Sequence, residues 1–501
     1  MGVGMTQKPV LVIGGTGYVG GRLVPLLLSS GFTVRVAGRS PEKIRARDWG
    51  DHPNLQVAQL DIHDLDSIIE AAQGCGVVYY LVHSVTISER DYGALDRNGA
   101  FNMLEATRVV WGLERIIYLG SLGGHSQEVS RELIVRQEVA RILSYADVPV
   151  TTLKAGMIIG AGSAAFEIIS YMAERQPLML APKWMQTKCQ PISIRNVLVY
   201  LLDCLEKKET VGETFDLGGE EVLTYADLLQ MCARAGRLRK RLFIPIPLKI
   251  PRTSAYWMSL ITPAPYSVTR VMVEGVLGDM VCKGKSIQEI CPQNLMSCED
   301  AISRARDLTS HGNIETCCFD SGSCVAPEWV QHGDAEFARE GIFKCQYVIR
   351  LETTPISVWN IIKRIGGETG WYCGNILWRL RGLMDKIFGG VGLSRGRRDP
   401  DNVRVGDALD FWRVETVNPP NQLRLVAEML VWGQALLDFS IDQVSEHEVD
   451  FTLTAYFRPK GLLGLTYWYS VYPFHAPIFQ GMLKNIAKEC DAKVVSGPQK
   501  C

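Results

Sequence analysis

Val10-Leu-Val-Ile-Gly14-Gly-Thr-Gly17-Tyr-Val-Gly20-Gly-Arg-Leu-Val24 is the stretch on which the fold of this chain turns. Four apolar, mostly β-branched residues read as a buried strand, and the residues after Gly20 read as a helix. Gly14, Gly17 and Gly20 stand at the G-x-x-G-x-x-G spacing. There a tight turn, close approach of backbone to a pyrophosphate and close helix packing each exclude a Cβ. A helix starting at this point turns free N–H groups and its positive dipole end toward phosphate oxygens. The backbone from Thr16 through Gly17, Tyr18 and Val19 to Gly20 is therefore expected to cradle a dinucleotide.

Working outward, Thr33–Ala37 reads as a second strand, which closes a βαβ unit around the glycines. An acidic residue at its end would hold a ribose 2′-hydroxyl, but the chain has Gly38-Arg39-Ser40, with Lys43 a helical turn later. A forked cation there suits a 2′-phosphate, so NADP(H) is expected over NAD(H). Leu55–Leu60 is a third strand, after which Asp61 and Ile62 are expected at the adenine end. Gly76–Val82 is a fourth strand, ending in His83 and Ser84 over the same crevice. The helix Tyr92–Val110, the strand Arg115–Leu119, the loop Gly120-Ser121-Leu122-Gly123-Gly124-His125 and the strand Val150–Leu153 follow. The alternation is that of an α/β protein with a doubly wound parallel sheet.

The glycine turn, Arg39, the words Asp61-Ile62-His63-Asp64 and Leu81-Val82-His83-Ser84, and the Leu-Gly-Ser loop ending in Ser121 together resemble the atypical, NmrA-like short-chain dehydrogenase/reductases. The resemblance covers about the first 300 residues and implies a Rossmann-type sheet. It also implies that Ser121 polarises a substrate carbonyl and that Gly156 passes the nicotinamide end. The usual Tyr and Lys of that family are absent: Glu132 and Arg136 stand in their register. Arg136 suits the nicotinamide ribose, but its pKa is too high for an acid near neutrality. His125 is the nearest candidate proton donor.

Past residue 220 the chain reads as a substrate-side extension reaching about residue 302, with the apolar, proline-interrupted Ser254–Val281 as a lid or wall. Residues 303–342 read as a linker and 343–501 as a second domain. Its strands Phe343–Leu351, Asp407–Thr416, Leu423–Met429, Ala435–Asp442 and Asp450–Phe457 form an antiparallel meander, closed by the segment Leu462–Glu489. A first strand, a short helical excursion, a meander and a long last helix resemble the α+β helix-grip fold of START-like proteins. Gly370-Trp371-Tyr372, Arg395-Gly-Arg-Arg-Asp-Pro400 and Asp410-Phe-Trp-Arg-Val414 resemble the uncharacterised domain that follows such dehydrogenases in bacteria. A grip of this kind leaves a cavity, for which Trp432, Tyr467, Trp468, Tyr469, Tyr472, Phe474 and Phe479 are expected walls, His475 a polar contact and the Ser394–Arg398 loop a cover for an anionic group.

Composition sets the outer bounds. A formal charge of −1 over 501 residues argues against nucleic-acid binding, and fourteen cysteines without a C-x-x-C argue for reduced thiols and no metal. The expected partner is a small apolar substrate or a lipid. The opening residues read as a disordered start, and the expected location is cytoplasmic. The uncharged run Gly461–Leu483 leaves peripheral membrane contact as a further reading. The function expected is reduction of an apolar carbonyl or enone. Its rivals are a non-catalytic NADPH sensor or assembly factor, and a lipid carrier with a regulatory nucleotide domain.

Overall fold

The computed structural model describes residues 8–82, 92–123, 131–246, 251–261, 266–275, 278–310, 316, 342–387, 390–392 and 397–500. Contacts divide the chain into two compact units, with the break between residues 321 and 322.

The first unit opens with β1 (Val10–Ile13), α1 (Gly20–Ser29), β2 (Val34–Gly38), α2 (Pro41–Arg45), β3 (Leu55–Gln59), α3 (Leu65–Ala72), β4 (Val77–Tyr80), α4 (Tyr92–Val109), β5 (Arg115–Ser121), α5 (Arg131–Leu143) and β6 (Val150–Ala155). Next come β7 (Ile158–Ile159), α6 (Ala164–Arg175), β8 (Leu178–Ala181), β9 (Lys188–Cys189), β10 (Ile192–Ser193), α7 (Ile194–Glu206) and β11 (Thr214–Leu217). Then β12 (Leu223–Thr224), α8 (Tyr225–Ala235), β13 (Leu242–Pro245), α9 (Pro251–Ile261), α10 (Tyr266–Gly275) and α11 (Cys298–Ser310) complete it. The main sheet is parallel, in the order β11-β6-β5-β4-β1-β2-β3.

A parallel sheet has helices on both faces, so its strands must be apolar throughout. Val10–Ile13 is wholly buried, and its alternation sends Val10 and Val12 into one core and Leu11 and Ile13 into the other. The order reverses at β1, between β2 and β4, where such sheets bind ligands. The expected linker differs at its start: residues 303–310 belong to α11, because Ala301, Ile302 and Ala305 bury one helical face.

The second unit contains β14 (Phe343–Glu352), α12 (Pro355–Ile362), α13 (Asn375–Ile387), β15 (Ala408–Leu409), β16 (Trp412–Asn418), β17 (Gln422–Ala427), β18 (Gly433–Gln443), β19 (Glu448–Pro459), α14 (Gly461–Glu489) and β20 (Lys493–Lys500). Its antiparallel sheet runs β15-β16-β17-β18-β19-β14-β20. The single strand expected over 407–416 is broken, because Asp410 lies in the left-handed region at φ 56°. Helix α14 buries Gly464, Trp468, Phe479, Met482, Leu483, Ile486 and Ala487, a stripe at helical spacing. That stripe corrects the expected aromatic walls. Trp468 and Phe479 are core residues and Tyr467 packs beside them, whereas Trp432, Tyr469, Tyr472 and Phe474 are exposed.

Candidate functional site: the crevice at the carboxyl ends of the parallel strands

The glycine turn is pressed against the end of β4. Leu81 N–H donates to Ile13 O at 3.0 Å, and a Cβ on Gly14, whose φ is 89°, would come within 2.8 Å of Leu81 O. Gly17 N–H closes the turn onto Gly14 O at 3.0 Å, and a Cβ on Gly20 would stand 2.3 Å from that same oxygen. No side chain caps α1; its Gly21 N–H donates to Gly17 O at 2.9 Å and its Arg22 N–H to Val19 O at 3.1 Å. The turn thus has the close backbone approach that a pyrophosphate requires.

Residues outside the glycine pattern brace this cradle. Arg47 Nη2 donates to Thr16 O at 2.8 Å, and the Arg22 guanidinium lies 4.4 Å from the centre of the Tyr18 ring while donating to Ala161 O at 2.8 Å. Gly160 sits against the Tyr18 hydroxyl, and Thr316 Oγ1 donates to Tyr18 O at 2.9 Å. Of these only Arg22 carried a signal in the sequence, its position on α1 four residues after Tyr18 of the glycine turn. Arg47 and Thr316 are brought in by tertiary packing.

At the other arm, Leu60 N–H donates to Gly38 O at 3.0 Å, so Arg39 and Asp61 leave neighbouring strands side by side. Arg39 is exposed, whereas Lys43 is buried on α2. The Asp61 carboxylate accepts from His63 N at 3.0 Å and forms a turn, while Asp64 caps α3. The half-buried Ile62 turns its carbonyl to Asn102 at 3.0 Å.

Ser121 ends β5 opposite Ala155 of β6, and Leu122 N–H donates to Ala155 O at 2.9 Å, which puts Gly156 beside the Ser121 loop. The Ser121 side chain makes no hydrogen bond among the described residues. Arg136 is half-buried on α5, and its carbonyl takes the Tyr118 hydroxyl at 3.4 Å. Burial pushes Tyr118 up to about 12, which keeps it a neutral phenol. His83, Ser84 and His125 lie outside the described residues, as does the Glu132 side chain.

On the substrate side an apolar pocket opens between α6, α8, α9 and α10, lined by Ile168, Met172, Trp184, Tyr225, Leu229 and Met258. Trp184 and Tyr225 meet edge to face at 6.3 Å. The buried Trp184 Nε1 has no hydrogen-bond partner among the described residues. Thr224 and Asp227 hold the start of α8 with a reciprocal capping box.

In the second unit the distinctive words gather in one corner, but as a fastening. Arg397, expected to cover an anion, donates instead to the carbonyls of Lys363, Ile365, Asp399 and Asn402. Arg398 pairs with Asp407 at 3.0 and 3.2 Å, and Arg413 with Glu428 at 2.8 and 3.1 Å. Asp410 accepts from Trp371 Nε1 at 2.9 Å and Gly367 N at 3.1 Å. Desolvation pushes its carboxyl up to about 6. His475 is stacked on Phe479 at 5.0 Å, with Trp468 edge-on at 5.0 Å; its Nδ1 has no hydrogen-bond partner among the described residues, and burial pushes it down to about 4.

Residues 14–158 match a family described as NAD(P)H-binding, and residues 339–482 match a protein family of unknown function, DUF2867. The matched part of the first unit is thus similar to NAD(P)H-binding domains. A 3β-hydroxysteroid dehydrogenase/Δ5→4-isomerase of Mycobacterium tuberculosis is 35% identical over 121 residues, 22% of this chain and 31% of that protein. Subunit 9 of the NADH dehydrogenase [ubiquinone] 1 alpha subcomplex, a mitochondrial protein of Dictyostelium discoideum, is 25% identical over 249 residues, 47% of this chain and 66% of that protein. The chain thus spans about a third of the length of the first relative and two thirds of the second. Among solved structures, a nucleoside-diphosphate-sugar epimerase from Staphylococcus aureus aligns with 59% of this chain and 99% of its own, at 15% identity and a TM-score of 0.49.

Proposed function

We propose that the protein is an NADP(H)-dependent reductase of an apolar carbonyl or enone. The observation that carries this reading is the Ser121 hydroxyl at the carboxyl end of β5, beside Gly156 and without a side-chain partner among the described residues. It is a donor available to polarise a substrate oxygen. The exposed Arg39 supports NADP(H). The bound nicotinamide supplies the hydride. The proton comes from water, His125 or the substrate; the Tyr118 hydroxyl is turned to Arg136 O. The second unit, in which α14 packs its buried stripe into the core of an antiparallel sheet domain, is on this reading a START-like helix-grip domain.

The rival reading is a non-catalytic NADPH sensor or assembly factor. Arg136 in the place of the family's Lys favours it, and so does the length of the match to a respiratory-complex subunit. Calorimetric titration with NADPH, followed by NADPH fluorescence decay against apolar aldehydes, ketones, enones and quinones, separates the two. The reductase predicts tight binding and decay with at least one compound, slowed by Ser121→Ala with NADPH affinity unchanged. Tight binding with no decay across the panel would favour the sensor.

A further inference from the structure

Helix α13 carries Ile376, Leu377, Leu380, Leu383, Met384 and Ile387 on one face, and all six side chains are exposed, Ile376 at 81%. The opposite face, with Gly382, Asp385 and Lys386, is the buried one. Such a helix is inverted relative to an ordinary surface helix, whose apolar stripe turns inward.

The exposed face continues beyond α13. Arg381 Nη2 donates to Leu430 O at 2.9 Å and Leu430 N–H donates to Asp385 Oδ1 at 2.7 Å, so the 430–432 loop is tied along the helix. On its other side, Lys460 N–H donates to Trp432 O at 2.8 Å, and Gly464 fits so closely that a Cβ would come within 2.2 Å of that carbonyl. Leu430, Trp432, Leu462 and Leu463 are all more than half exposed. One apolar surface therefore runs from α13 across the loop to the first turn of α14, far beyond singly scattered apolar residues.

The exposed charges on and beside it have one sign, since the adjacent Glu428 is largely covered in its pair with Arg413. In segments 375–387, 429–434 and 460–483 the only acidic residue is Asp385, whose side chain is wholly buried. Arg379, Arg458 and Lys460 are exposed on or beside the same segments. Aliphatic side chains, an exposed indole and cations without acids match the boundary between anionic headgroups and acyl chains. No described helix is long and apolar enough to cross a membrane. We propose that this face of the second unit docks on an anionic bilayer surface, with α13 lying in the headgroup plane and Leu383, Trp432 and Leu463 entering the acyl boundary.

The test is co-sedimentation of the full-length protein with vesicles of phosphatidylcholine, with and without one-third phosphatidylglycerol. The expected result is binding that rises with phosphatidylglycerol and falls with salt. Leu383→Glu combined with Leu463→Glu should lower the bound fraction roughly tenfold or more, with NADPH titration and melting temperature unchanged. Arg379→Ala with Lys460→Ala should remove the dependence on phosphatidylglycerol. Brominated lipid should quench the wild-type protein more than Trp432→Phe. Wild-type protein that stays in the supernatant with both compositions overturns the proposal. A dimer by light scattering that Leu383→Glu converts to monomer, without vesicle binding, also overturns it and makes a second copy the occupant.

Discussion

The two units treat their most distinctive residues in opposite ways. In the first, Gly14, Gly17 and Gly20 leave backbone groups facing a crevice, with Arg47 and Arg22 bracing them from behind. In the second, Arg397, Arg398, Arg413, Asp407 and Asp410 spend their hydrogen bonds on one another, on Glu428, on nearby carbonyls and on the Trp371, Gly367 and Arg404 N–H groups. A polar cluster that satisfies itself holds a fold, and one that leaves donors open invites a ligand. Specific motifs in a sequence do not by themselves say which kind they are.

This contrast can be broken at its strongest point. Asp407→Ala removes one partner of Arg398, whose side chain is only 14% exposed, and one of Arg404. A cation buried without its partner costs about 3–5 kcal/mol, so the second unit should lose that stability in urea unfolding followed by tryptophan fluorescence. NADPH affinity should not change; a large loss of affinity would mean that the corner serves the nucleotide. Gly17→Val should weaken NADPH binding by roughly 100-fold by calorimetry while the second unit unfolds at the same urea concentration. Retained affinity would end the cradle reading. Arg39→Asp should lower the preference for NADPH over NADH by about tenfold or more, the worth of one charge-assisted bond. An unchanged ratio would remove Arg39 from the site.

The smallest effects are in the pH dependence of stability, and they have opposite signs. The folded Asp410 carboxyl holds its proton up to about pH 6, above its ordinary value of 3.8. The folded state is therefore penalised as pH rises through that window, and Asp410→Asn should raise the urea midpoint above pH 6 and leave it unchanged near pH 4. His475 is held neutral down to about pH 4 against an ordinary 6.5. Stability is thus lost as pH falls from 6.5 toward 4, and His475→Phe should help at pH 5 more than at pH 8. Flat profiles for both variants would mean that neither group is as dry as its packing indicates.

The same contrast explains what was legible in the chain. Strands β1 and β4 could be read because strands buried on both faces demand unbroken apolar runs, and the glycines marked a turn where a side chain cannot fit. The break at Asp410 was hidden, because only tertiary partners, Trp371 Nε1 and Gly367 N, hold an aspartate in the left-handed region. Strand β20, Lys493–Lys500, was missed because an exposed edge strand carrying Gly497 and Pro498 shows no apolar alternation. At the site, the crevice followed from the motif. The supports from Arg47, Gly160 and Thr316 are long-range contacts with no local signature.

Thr316 also bears on how the protein is made. Its hydroxyl meets Tyr18 O across 298 positions of chain, and its methyl occupies the space where a Cβ on Gly21 would stand at 2.5 Å. The glycine turn is thus finished by a residue synthesised roughly 15–60 s after Tyr18, at the usual pace of translation. Until then the glycine turn lacks one of its supports, so the nascent first unit has a sheet before it has a completed binding crevice.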